Sequence, residues 1–206
     1  MVKRSKLLTY FAVLMLVAQS VSVSFGSFQI AVANSNSAAD EVSPFTFGNT
    51  AIGTLFDRND PNAKSASNFT CEITGQITDI YAYVARADST GTGQAAIYAD
   101  ELGYPGVLIA QSNAEIITTS FSWVDFHMPT LENVTSGTVY WLSICSDDML
   151  NLYEVAGSGV RVHNGNIYRG GFSDPFGLIW GEPDPTGAMS IYASVIPVSS
   201  KLSGPA

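Results

Sequence analysis

Short runs rich in Val, Ile, Tyr, Phe and Thr recur from Phe45 onward at a spacing of about ten residues, with Gly, Pro, Asn and Asp standing between them. In the clearest run, residues 76–87, Ile77, Asp79, Tyr81, Tyr83 and Ala85 alternate with Thr78, Ile80, Ala82, Val84 and Arg86. Successive side chains leave a pleated backbone on opposite faces, so a period of two marks a strand. Apolar groups on both faces predict one inside a sandwich. Residues 138–145 follow the same logic, with Tyr140, Leu142 and Ile144 opposite Val139, Trp141 and Cys145. Residues 122–128 set Val124, Phe126 and Met128 against Trp123, Asp125 and His127, which predicts a half-exposed strand. Further strands are expected at 45–55, 65–73, 93–99, 107–119 with a break near Asn113, 149–155, 160–163, 166–169 and 188–195. Helical periodicity is weak, and no repeat of fixed length points to a propeller or solenoid. The pattern predicts an all-β fold, an antiparallel β-sandwich.

The first residues follow a different pattern. Val2-Lys3-Arg4-Ser5-Lys6 places three cations before the apolar run 7–18, and Ala31-Val32-Ala33 offers the small residues that a signal peptidase reads. This order predicts a signal peptide over 1–33, with a cut near Gly26-Ser27 as a second option. Retention as an anchor is the competing reading, because apolar character continues through Ile30. A small, acidic leader (34–44), a domain (45–197) and a polar tail (198–206) complete the organisation. After residue 33 no run reaches spanning length, so no membrane span is expected once the leader is cut.

The chain has 206 residues, enough for one ordinary domain with a sizeable core. Its net charge is −9, and beyond residue 33 six cations face all eighteen acids, giving −12. Nucleic acid is excluded as an expected partner, since phosphate binding needs a cationic surplus. The balance fits an exported, soluble protein.

Two stretches carry a resemblance. Ala96-Ile97-Tyr98-Ala99-Asp100 followed by Gly103-Tyr104-Pro105-Gly106-Val107-Leu108 reads as a strand, a Pro-Gly turn and a second strand. Downstream, Trp123-Val124-Asp125-Phe126 leads to Gly137-Thr138-Val139-Tyr140-Trp141-Leu142. These resemble the choice-of-anchor type β-sandwich modules of prokaryotic secreted and surface proteins. The resemblance implies a jelly-roll-like extracellular module that works in adhesion or glycan binding, with no catalytic residue to carry over.

Candidate chemistry is sparse. Cys71 and Cys145 are the only cysteines, and in an oxidising compartment an even count predicts a disulfide, with two buried thiols as the alternative. His127 and His163 are the only histidines, and no nucleophile-elbow, zincin or P-loop motif occurs. His127 neighbours Asp125 in the alternation, an exposed strand histidine or a pair. Glycoside hydrolysis needs only two carboxylates, and Asp125, Glu132, Glu154, Glu182 and Asp184 are available, though none lies in a recognisable motif. Asp57, Asn59 and Asp60 cluster in a predicted loop whose oxygens suit a structural calcium ion, or which is simply a turn. Asn68 and Asn133 open N-x-[ST] sequons, potential glycosylation sites on an exported chain.

The stretch 166–187 interleaves Tyr168, Phe172, Phe176 and Trp180 with Gly and Pro, and adds Arg169, Glu182 and Asp184. Sugar rings stack on flat aromatic faces while carboxylates bond their hydroxyls, so this segment is either a glycan platform or an aromatic plug closing the sandwich. The expectation is a secreted, non-catalytic binding module, at the cell surface or free, whose partner is a glycan or cell-envelope component. A structural subunit of a filament or surface layer, self-associating through its N-terminal segment (34–54), is the alternative. A glycoside hydrolase is the third reading.

Overall fold

The structure, a computed structural model, describes residues 44–165 and 171–198. The expected signal segment, the leader up to residue 43, Tyr168, Arg169 and the tail from residue 199 lie outside the described residues. Thirteen strands follow in chain order among the described residues: β1 (Phe45–Gly48), β2 (Leu55–Asn59), β3 (Lys64–Thr70), β4 (Gly75–Arg86), β5 (Gly91–Glu101), β6 (Tyr104–Gln111), β7 (Glu115–Ile117), β8 (Ser122–Val134), β9 (Val139–Ser146), β10 (Leu150–Ala156), β11 (Arg161–Asn164), β12 (Gly187–Met189) and β13 (Ile191–Pro197).

They form two antiparallel sheets, a β-sandwich as the alternation predicts. In the first sheet β4 is the spine. β8 pairs along one edge, while β13 and, at the far end, β10 share the other. β1 lies beyond β13, β2 beyond β10, and β12 joins β10. The second sheet runs β11-β3-β9-β5, with β6 and β7 sharing the far edge of β5. Most connections pass from one sheet to the other, as in a jelly roll.

The main core lies between the sheets. Ile80, Ala82 and Val84 of β4, Val124, Phe126 and Met128 of β8, Ile97 of β5 and Leu142 and Ile144 of β9 meet there, all buried. The register shifts at Thr78, between Ile77 and Asp79, and this bulge lets both Ile77 and Ile80 point inward. Tyr81 and Tyr83 consequently face outward, and β4 has one core face rather than two.

A second apolar cluster sits on the outer face of the second sheet: Ala66, Ala96, Tyr98, Trp141, Cys145 and Val162, roofed by Phe172 and Phe176. The roof is a strap running from residue 171 to Asp184. It closes the free edge of β6, where Phe176 N–H donates to the Gly106 carbonyl and Asp174 Oδ1 accepts from Leu108 N–H, both at 2.9 Å. It then ties to β11 through Trp180 N–H to the His163 carbonyl, 2.7 Å, and a two-way backbone bridge between Asp184 and Arg161. An unpaired strand edge invites aggregation, and the strap removes this one.

Two local expectations are corrected. The run 45–55 is divided into β1 and β2 with a bend between them, because Gly48 takes a left-handed φ of 112° and Gly53 packs against the backbone of Glu154. The β5–β6 turn is Leu102-Gly103, both at positive φ, while Pro105 and Gly106 lie inside β6. Pro is tolerated there because β6 is an edge.

The disulfide expected between Cys71 and Cys145 is not formed; both are buried free thiols. The β3–β9 register sets Lys64 opposite Cys145 and Thr70 opposite Val139, so Cys71 lies at the other end of this strand pair. The separation is about seven residue rises, ~23 Å, against the roughly 6 Å that a disulfide spans between Cα atoms. Cys71 also faces the inter-sheet core and Cys145 the outer cluster.

Candidate functional site

The outward face of the first sheet carries the largest aromatic assembly in the described residues. Period two along β4 directs Tyr81 and Tyr83 outward, and the register sets Tyr192 of β13 opposite Tyr81 and Trp123 of β8 opposite Tyr83. Tyr81 and Tyr192 stack at a centroid distance of 4.9 Å. Tyr83 stacks on Phe121 at 5.5 Å and contacts Trp123 and Tyr153, and Trp123 meets Tyr192 edge-on at 5.1 Å. Phe56 of β2 extends the series beside Tyr153. Phe56 is exposed and the other rings are half-buried, so the stripe crosses the sheet with edges and partial faces open to solvent. A contiguous aromatic stripe partly open to solvent is a candidate interaction surface.

Polar groups stand at both ends. Next to Phe56, Arg58 Nε donates to Asn151 Oδ1 at 2.9 Å. At the Tyr81 end, Asp125 lies opposite Tyr81 and His127 opposite Asp79. His127 Nδ1 is 2.8 Å from Asp79 Oδ1, and this hydrogen bond raises the imidazole above its ordinary range. Burial and the neighbouring Asp79 charge push the Asp125 carboxyl upward, with the Tyr81 hydroxyl and His127 opposing. Burial first, then Asp125, pushes Tyr81 up to about 12, so its hydroxyl stays a donor at neutral pH. The face therefore offers rings flanked by carboxylate acceptors and an imidazole at one end and a guanidinium and an amide at the other.

The strap treats its aromatic residues in two ways. Phe172 and Phe176 are buried against Tyr98, with centroids 6.2 and 5.1 Å away, and form the plug. Trp180 is 57% exposed and lies over Gly165, where any Cβ would collide with the indole. It lines a shallow recess of about 290 Å³ with Asn164, Gly177 and Leu178. Glu182 is exposed. Asp184 is held by its backbone bridge to Arg161 and by Thr186 N–H on Oδ1, 2.8 Å, which keeps its carboxyl low. The structure thus separates Phe172 and Phe176 from Trp180 rather than gathering them into one platform.

Under the plug lies a buried lysine. Lys64 Nζ donates to Ser173 Oγ and sits 4.3 Å from the centre of the Phe176 ring. Burial lowers its pKa to about 8. Burial likewise lifts the Cys145 thiol, to about 12, and keeps it protonated. At the seam between the sheets Arg161 reaches both Glu154 and Asp57, and Glu154 is buried with it. Nearby, Ser65 Oγ donates to Asn59 Oδ1 at 2.6 Å and lies 2.8 Å from His163 Nδ1. Burial pushes the His163 pKa down to about 4, leaving its ring neutral.

The loop expected for calcium is a strand followed by a tight turn. Asp57 and Asn59 belong to β2, the first taken by Arg161 and the second by Ser65, and Asp60 begins the turn. Among the described residues no group of three or more His, Cys, Asp or Glu side chains is placed to hold a metal ion. Of the sequon residues, Asn133 is exposed on β8. Asn68 is half-buried on β3, its Oδ1 accepting from Val160 N–H at 3.0 Å.

Sequence reasoning missed the aromatic face. The signal was present as Tyr81-x-Tyr83, Trp123 and Tyr192 at period two, but it reads as core until the bulge at Thr78 assigns the faces. No family model and no curated protein matches this chain.

Proposed function

We propose that the protein is a secreted binding module that contacts carbohydrate, in the extracellular space or at the cell envelope, through the outward face of its first sheet. One observation carries the reading: seven aromatic rings from five strands and a loop form a continuous stripe with hydrogen-bonding groups at both ends. Sugars present apolar C–H faces for such rings and hydroxyls for carboxylates, imidazole and amide. The surplus of acid favours neutral over anionic glycans, because like charges repel. The expected export signal and the resemblance to choice-of-anchor modules are in keeping with this reading.

Glycoside hydrolysis has less support. Glu154 is taken up by Arg161, the Asp184 carboxylate by Thr186 N–H, and Asp125 neighbours Asp79 and His127 on an open face rather than lining a cleft with a second acid. Affinity electrophoresis through gels containing neutral polysaccharides tests the proposal. Retardation by at least one polysaccharide, reduced roughly tenfold in apparent affinity by Trp123→Ala, is expected, because central aromatic anchors dominate such interfaces. Equal mobility of wild type and variant in every gel would overturn it.

A further inference from the structure

A separate cleft lies at the seam where β1 faces β3. It encloses about 510 Å³. Phe47 and Phe69 border it at the base but are themselves buried in the core, so the surface it offers is mainly polar. Its rim carries the hydroxyls of Thr46 and Thr70, the amide of Asn68 and the carboxylate of Glu72. Among the described residues none of these hydroxyls, nor the Asn68 Nδ2 or the Glu72 carboxylate, makes a side-chain hydrogen bond. Both donors and acceptors are therefore uncommitted around the cleft.

The walls are fixed. Asn49 Nδ2 donates to Ser158 Oγ at 2.8 Å and to the carbonyls of Ala188 and Met189, pinning the end of β1 to the turn after β10. Asn68 is held by Val160 on both sides, its N–H donating to the Val160 carbonyl and its Oδ1 accepting from Val160 N–H. Gly159 lets that turn approach, since a Cβ there would press on the Asn68 carbonyl at 3.1 Å. Fixed walls hold the polar rim groups in place around the cleft before any ligand arrives.

We propose that this cleft is a second binding site, for a neutral, hydroxyl-rich ring of pyranose type. An apolar ligand would leave the rim groups unpaired, and an anionic one would meet Glu72, the only charged group on the rim. The hydroxyls of a sugar ring satisfy donors and acceptors together. The site does not rest on the aromatic-face reading, because it uses none of the same residues.

Amide NMR of the ¹⁵N-labelled protein, titrated separately with D-glucose, D-galactose and N-acetyl-D-glucosamine, tests it. Saturable shifts at Phe69, Thr70 and Gly159 with at least one sugar are expected, and Trp123→Ala leaves them unchanged. Asn68→Asp keeps the acceptor for Val160 while removing the free donor, so combined with Thr70→Val it weakens binding roughly tenfold. Thr46→Val combined with Thr70→Val serves if that variant does not fold. Absence of saturable shifts in the cleft with all three sugars, or a folded double variant that binds like wild type, would overturn the proposal.

Discussion

Lys64 shows how one buried side chain ties the molecule's stability to pH. Its pKa falls from an ordinary 10.5 to about 8 because the ammonium is desolvated beneath Phe176. Between those values the unfolded chain binds the extra proton, so stability rises with pH across this window, and the full penalty applies below pH 8. Lys64→Met removes the titration. Urea unfolding is expected to show the stability difference between wild type and variant changing between pH 8 and 10.5 and level below it. A second residue-scale effect sits at the β5–β6 turn, where Leu102 occupies the left-handed region at φ 56° and is 94% exposed. Branched side chains pay about 1 kcal/mol there and Asn pays less. Leu102→Asn is expected to raise the thermal midpoint, since the leucine makes no buried contact that its loss would forfeit. His127 belongs to this scale too: its proton NMR titration is expected above the ordinary histidine value, and Asp79→Asn to bring it down, because the Asp79 hydrogen bond is the largest cause of the shift.

Elements are legible in the sequence where the alternation runs without a break in register. β8 and β9 stand where their alternation puts them, and the break near Asn113 separates β6 from β7. β4 misleads because Tyr is apolar enough to read as core, and the bulge at Thr78 that turns Tyr81 and Tyr83 outward leaves no sequence signal of its own. The strap resolves differently. Its aromatic spacing announces a buried plug or an open platform, and tertiary contact with Tyr98 and Lys64 decides for the plug at Phe172 and Phe176 while leaving Trp180 outside. Phe176→Ala is accordingly expected to cost ~3–5 kcal/mol in denaturant unfolding and to expose Lys64. Trp180→Ala should change stability far less, because its ring is largely in solvent.

At the scale of the whole molecule the two-sheet fold follows from turn spacing and alternation, but the long-range pairing of distant residues does not. Cys71 and Cys145 each lie in or beside strands that do pair, and only the register reveals that they stand at opposite ends. Thiol titration in denaturant is expected to find both reactive without prior reduction, and intact mass to be unchanged by reductant. The site was hidden for the same reason: Tyr81, Trp123, Tyr153 and Tyr192 converge from four strands, and their meeting depends on topology rather than on any local motif. The three tryptophans happen to sample its alternatives: Trp123 on the aromatic face, Trp180 on the strap, and Trp141 buried with its indole N–H on Asp100 at 2.8 Å. Following the three indole N–H resonances while a retained neutral oligosaccharide is added therefore reads the proposed binding surface directly. A saturable shift of Trp123 with Trp180 and Trp141 unmoved is the predicted result, and a shift confined to Trp180, or none at all, would contradict the account.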